Sequence, residues 1–476
     1  MKGHHVSKLC AFMGLVALCA GFGWNKAMAV QRSQADDEDG VQVLTRGPVH
    51  EAFAETVTFD PDPGIAVKHG PPDPIEEIAP DQRPEGRNVT WIPGYWAWDD
   101  ERNDFLWVSG IWRALPPGRQ WVCGYWGKSR QGFQWTSGYW ADAQASEIEY
   151  LPEPPETVET GPNVDAPSAD YTWIPGCWVW YDGRYAWRSG YWERVQPNWV
   201  WVPDHYVWAP RGYVFVEGYW DYAVGRRGVL FAPVYFDARV RARPSFSYSP
   251  ATVIDLAVFT DHLFVRPRYQ HYYFGDYYAP SYQDAGIYAS FSFHNDNSYD
   301  PIYAQQRWQH RSDRDWAQRV LTDFTNRRDH EEARPPRTLA IQIALSARNA
   351  RSNEKSLVLA TALERLATSQ DSPLRFKSVD PDERKQFTQR RQEVQRFREE
   401  RQTLETTAAD RSAQDSPRGD GPARVKFRKS PIAANAGAEL GTDDAPPTRR
   451  AAPRPDPKVE RKQKKAAEKR DHREKP

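Results

Sequence analysis

Catalytic signatures are missing from this chain of 476 residues. It holds no H-E-x-x-H, no G-x-S-x-G, no phosphate-binding loop and no G-x-G-x-x-G. Paired carboxylates need no local signature, yet these absences favour a protein that is not an enzyme and uses no cofactor. Cysteine is scarce, four residues in all, and no cysteine–histidine spacing suits zinc. Beyond the N-terminus no stretch approaches the roughly 20 apolar residues that cross a bilayer as a helix.

Tryptophan, in contrast, recurs in a motif, W-x-x-G-[Y/I/C]-W, whose members lie mostly fourteen residues apart. Clear copies are Trp91–Trp96, Trp107–Trp112, Trp121–Trp126, Trp135–Trp140, Trp173–Trp178 and Trp187–Trp192, and degraded copies follow at Trp201–Tyr206, Phe215–Trp220 and Phe231–Phe236. That spacing is too short for a helical repeat and suits one strand plus its turn, which the aromatic content favours. The expected fold is therefore a mainly β repeat array, a meander of antiparallel Trp-rich hairpins, followed by an α-helical region and flanked by disordered termini.

The copies pair as palindromes. Folding residues 173–192 about Asp182-Gly183, a strong two-residue hairpin signal, sets Trp173 opposite Trp192, Trp178 opposite Trp187 and Trp180 opposite Tyr185. Turns at Arg130-Gln131 and Pro210-Arg211 set Trp126 opposite Trp135, Tyr206 opposite Phe215 and Trp208 opposite Tyr213. A longer loop in residues 91–112 keeps Trp96 opposite Trp107 and Trp98 opposite Phe105. Each aromatic cross-strand pair contributes roughly 0.2–1 kcal/mol relative to Ala–Ala, so a lone hairpin stays marginal and needs neighbours.

Strand alternation separates two faces if the motif glycines insert no bulge. The first, with Trp91, Tyr95, Ala97, Leu106, Val108 and Trp112, is expected to be core. The second is expected to be partly exposed. Because sugar rings stack on flat aromatic faces, its members Trp96, Trp98, Phe105, Trp107, Trp126, Trp135, Trp178, Trp180, Tyr185, Trp187 and Trp208 are the glycan-binding candidates, weighed against rings that simply fill a thin core. Cys123 and Cys177 fall on the first face, either as buried thiols or as a disulfide between units. Asp204 and Glu217, opposite in the register, form the array's one carboxylate pair, and like charges across a ladder make a poor case for a hydrolase.

Around the array the chain divides by composition. Residues 1–29 read as a secretory signal, with Lys2, Lys8, an apolar run Leu9–Trp24 and the small-x-small site Ala27-Met28-Ala29. Export to the periplasm, the cell envelope or the medium follows. Residues 30–85 are expected to be an extended Pro-rich, acidic leader with little core. Repeat units at 86–140 and 171–244 are joined by a Pro/Glu-rich linker, 141–170. A Tyr-rich irregular β region, 245–299, precedes a helical region, 300–405, whose stripe Phe387, Val394, Phe397 and Leu404 reads as a solvated helix. Residues 406–476 read as a disordered, basic tail. The tail suits an anionic polymer more than nucleic acid, because no aromatics interleave its Lys and Arg.

The motifs Trp91-Ile92-Pro93-Gly94-Tyr95-Trp96, Trp107-Val108-Ser109-Gly110-Ile111-Trp112 and Trp173-Ile174-Pro175-Gly176-Cys177-Trp178 resemble the WxxGxW, or YXWGXW, repeat family of exported bacterial proteins. The resemblance covers residues 86–236 and implies export and β repeats without supplying an activity. Together these readings point to a structural or interaction protein of the envelope, self-associating or bound to envelope polysaccharide or peptidoglycan, with a glycan-binding module as the alternative.

Overall fold

The computed structural model describes residues 40–86, 88–162, 164–295, 298–348, 357–370, 372, 374–415, 422–434 and 446–447. The segment expected to be a secretory signal and the basic run near the C-terminus lie outside the described residues.

Four nested hairpins form the array, in the register the aromatic palindromes require. Each has an inner and an outer strand pair. In the first, Tyr95–Asp99 pairs with Asp104–Val108 inside, and Val89–Ile92 with Ile111–Ala114 outside. The second, third and fourth repeat this at residues 119–142, 171–194 and 199–222. Trp96 faces Trp107, Trp126 faces Trp135, Trp178 faces Trp187 and Tyr206 faces Phe215. Trp96 and Trp107, at 5.2 Å between centroids, and Trp178 and Trp187 meet edge-on, a preferred contact of aromatic quadrupoles, and the other two pairs are tilted. The turn of the third hairpin takes positive φ at both Asp182 (51°) and Gly183 (77°), the backbone that a two-residue hairpin of matching twist needs.

The array closes on itself. The last degraded repeat supplies Gly228–Leu230 and Val234–Phe236, which add to the return strands of the first hairpin. Two other hairpins also take an added strand on the return side. Ala66–Val67 pairs with Phe133-Gln134 of the second, and Glu147–Leu151 pairs with Tyr213-Val214 of the fourth. Only the third has no added strand among the described residues.

The leader is not a solvated extension. Residues 44–59 are buried without a break, threading between the hairpins. His50 meets the Pro93 carbonyl, Ala52 and Phe53 carbonyls accept from Arg113 and Arg227, and Thr58 donates to the Tyr206 carbonyl. A segment this polar tolerates burial because its polar groups find partners on the strands around it.

The Tyr-rich region contributes a sheet, Leu263–Arg266 with His271–Phe274, extended by Gly47–Pro48 and Tyr288–Ala289 and interspersed with short helices. It covers the inner strands of the first two hairpins, with Tyr269 against both Trp126 and Trp135. The helix Pro381–Asp415 is docked, not solvated. Phe387 packs edge-on against Trp112, and Val394 and Phe397 are buried. The tail also contributes structure, since Ala423–Lys426 adds a strand to Glu147–Leu151 and Phe427 and Ile432 enter the core.

Candidate functional site

Each hairpin strand is interrupted at its motif glycine, and the interruption explains the motif. The first Trp of one copy lays its indole on the glycine of the copy it faces. A methyl group on Gly138 would stand 2.5 Å from Cζ2 of Trp121, and one on Gly124 would stand 2.5 Å from Cζ2 of Trp135. Trp91 on Gly110, Trp187 on Gly176, Trp173 on Gly190 and Trp201 on Gly218 repeat the contact. In the fourth hairpin Asp204 replaces the glycine of the first copy, and Phe215 replaces the first Trp of the copy that it pairs with.

Peptide planes at these breaks leave the ladder and must find partners elsewhere. Buried carboxylates supply them. Glu77 accepts from the amides of Gly94 and Gly110, both at 2.8 Å, and from Nε1 of Trp107 at 2.9 Å. Glu51 accepts from the Gly124 amide at 3.0 Å and faces that of Gly138. Glu159 takes the Gly176 amide, and Asp204 itself takes the Gly218 amide at 2.6 Å. In the second hairpin Arg401 of the long helix donates to the Cys123 and Ser137 carbonyls, both at 2.9 Å, so both ends of the turned Cys123–Gly124 peptide are satisfied. Arg401 is paired with Glu405 at 3.0 Å, and Glu405 accepts from Tyr125 and Tyr150. Burial raises the Glu51 carboxyl to about 7, against the opposing pull of these amides, and raises that of Glu77 as well. Sequence reasoning missed Glu51, Glu77 and Glu159, whose local surroundings carry no periodic pattern, and Arg401, which lies within the apolar stripe of the long helix but reads as solvated because it is charged. The sole signal was Asp204 standing in a motif glycine's place.

The second face is not uniformly exposed. Trp96, Trp98, Phe105, Trp107, Trp126 and Trp135 are buried, covered by the Tyr-rich region, the leader and the closing strands, and Trp187 is buried against Trp178 and Gly176 of its own hairpin. Trp178, Trp180, Tyr185 and Trp208 are half-buried and gather on the third and fourth hairpins. Tyr181, at 65% the most exposed large aromatic among the described residues, lies beside them. The edge of Trp98 borders a recess of about 200 Å³ rimmed by the pairs Arg46–Glu101 at 2.8 Å and Arg266–Asp100 at 2.6 Å.

Cys123 and Cys177 are free buried thiols, not a disulfide. Burial pushes the Cys177 thiol up to about 11 and raises that of Cys123, which keeps both protonated and unreactive. Asp204 and Glu217 share no cleft. Asp204 is buried in an ion pair with Arg188, whereas Glu217 is exposed. Among the described residues no group of three or more His, Cys, Asp or Glu is placed to hold a metal ion, and no helix is long and apolar enough to cross a membrane.

The WXXGXW repeat family model matches residues 86–113, 169–193 and 197–221. The chain thus carries WXXGXW repeats, and the hairpin at 119–142, outside the matched spans, has the same geometry. No curated protein and no solved structure matches the chain.

Proposed function

We propose that this protein is an exported, non-enzymatic scaffold of the bacterial envelope that meets its partners through the third hairpin. The observation that carries the reading is the use made of the buried carboxylates. Glu51, Glu77 and Asp204 are held by backbone amides at strand breaks, which commits their oxygens to fixing the hairpins, and this holds even for Glu77, which borders a recess of about 370 Å³ beside the long helix. The pattern Lys2, Lys8, Leu9–Trp24 and Ala27-Met28-Ala29 supports export.

A glycan-binding surface is the second reading, favoured by the half-buried rings Trp178, Trp180, Tyr185 and Trp208. Co-sedimentation of the mature protein with insoluble envelope polysaccharide and with peptidoglycan, at low and high salt, tests both. Salt-resistant binding lost in Trp180→Ala supports the aromatic surface. Salt-sensitive binding lost on deleting residues 453–476 supports envelope attachment by the basic tail. Absence of any association with envelope fractions contradicts the envelope role.

A further inference from the structure

We propose that the cleft beneath the helix Trp316–Asp329 is a binding site for a short, uncharged glycan segment. The site lies apart from the third hairpin, so the inference goes beyond the reading above.

This helix is held off the body of the protein. Trp316, Val320, Phe324 and Arg327 share one face at helical spacing, yet none of its 14 residues is buried. It rests on aromatic contacts at two places. Trp316 stacks on His310 at 4.9 Å and on Tyr303 at 5.7 Å between centroids, and Phe324 meets Tyr278 at 5.6 Å and Phe291 at 5.4 Å. Eight residues, about 12 Å of helix, separate these supports. Beneath the span lies a cavity of about 700 Å³, a size that suits a small ligand. A helix that serves stability alone buries its apolar stripe, whereas this one keeps a gap open under Val320.

The lining selects the ligand. Phe264 and Ile302, both buried, give an apolar floor on which the C–H face of a sugar ring can lie. Gln306 and Gln309 of the helix Pro301–Gln309 bring amides to the wall, and Asp261 and Asp323 bring carboxylates. Among the described residues the side chains of Gln306, Gln309 and Asp323 form no hydrogen bond with the protein. An amide both donates and accepts, and a carboxylate accepts at two oxygens, which together match hydroxyls that are themselves donors and acceptors. Charge in the cleft is balanced, Arg319 and Arg327 against Asp261 and Asp323. Both arginines are also engaged, Arg319 with Asp313 and Arg327 over the Tyr278 ring. No surplus charge is left to hold a phosphate or another anion, and the polar wall opposes an alkyl chain.

Calorimetric titration of the mature protein with chitotriose, cellotriose and maltotriose, three neutral trisaccharides, tests the site, with dodecanoate as the apolar comparison. The expected result is saturable binding of at least one trisaccharide, weakened tenfold or more by Gln309→Ala, an exposed position, and by Val320→Trp, whose indole fills the cleft. Unchanged melting temperatures of the two variants separate loss of ligand from loss of fold. In the complex, hydrogen exchange should slow at residues 301–309 and 316–329. No binding of any trisaccharide at millimolar concentration, binding of dodecanoate alone, equal binding by Val320→Trp, or protection confined to residues 171–194 overturns the proposal. The probes are soluble and no envelope polymer is present, so failure here is distinct from failure of the co-sedimentation.

Discussion

The second and third hairpins share one motif and one register, yet they sit in opposite surroundings. Around the second, the leader supplies Glu51, the long helix supplies Arg401, the Tyr-rich sheet supplies Tyr269 and residues 65–67 supply an added strand. Around the third, the linker contributes the Glu159 carboxylate and carbonyls that accept from Trp178 and Trp192, and no strand is added among the described residues. The difference teaches that the W-x-x-G-x-W repeat specifies a hairpin and its internal contacts, while burial is decided by what the rest of the chain brings to each copy. A large apolar ring left half-bare marks a place where contact with something else is still available.

Breaking the better-covered side should have the largest effect. Arg401→Ala leaves Glu405 buried without its ion-pair partner and strips the Cys123 and Ser137 carbonyls of their donor. A loss of about 3–5 kcal/mol in denaturant unfolding is expected, whereas Arg184→Ala on the exposed strand of the third hairpin should stay within about 0.5 kcal/mol. Equal losses would erase the contrast between the two hairpins.

Methyl groups placed at matching glycines sharpen the comparison further. Gly138→Ala drives a carbon into Trp121, which is 2% exposed and has nowhere to move, so a cost of about 1–3 kcal/mol is expected. Gly190→Ala makes the same collision with Trp173, a half-buried ring that can shift, and should cost less. The melting temperatures of the two variants check the order.

Protonation probes the same hairpin. The Glu51 carboxyl titrates near 7 when folded, above its usual 4.5. Its contribution to stability is therefore fully present below about pH 4.5 and is lost as pH rises toward about 7, because the folded state binds the proton more tightly. Glu51→Gln should flatten the stability profile across that window, measured as unfolding free energy against pH. A steeper slope in the variant would contradict the assignment. Smallest of all, reduction should leave the electrophoretic mobility of the mature protein unchanged, since Cys123 and Cys177 are separate buried thiols.

The hairpins were legible in the sequence because each register is set locally, by paired aromatics at fixed spacing and by turns such as Asp182-Gly183. The covers were not legible, for a physical reason. Segments such as Gly47–Pro48, Ala66–Val67 and Ala423–Lys426 join the fold by edge pairing with partners far along the chain, and so short a strand leaves no periodic trace. Residues 44–59 read as a solvated leader because they are polar, yet Glu51, Glu55 and Thr58 are buried by the groups they bond, Glu55 with the Tyr219 hydroxyl at 2.6 Å. The stripe of Phe387, Val394 and Phe397 was visible, but not that Arg401 beyond it would be wholly buried. Of the ring candidates, alternation alone could not separate Trp98 from Trp180, whose fates depend on the Tyr-rich sheet.

Hydrogen–deuterium exchange over the return strands tests the contrast most directly. The account predicts slow exchange across residues 104–108 and 132–136, where added strands seal the edge, and faster exchange at Tyr185 and Trp187 in the third hairpin. Equal protection of all three strands in the isolated protein would contradict it.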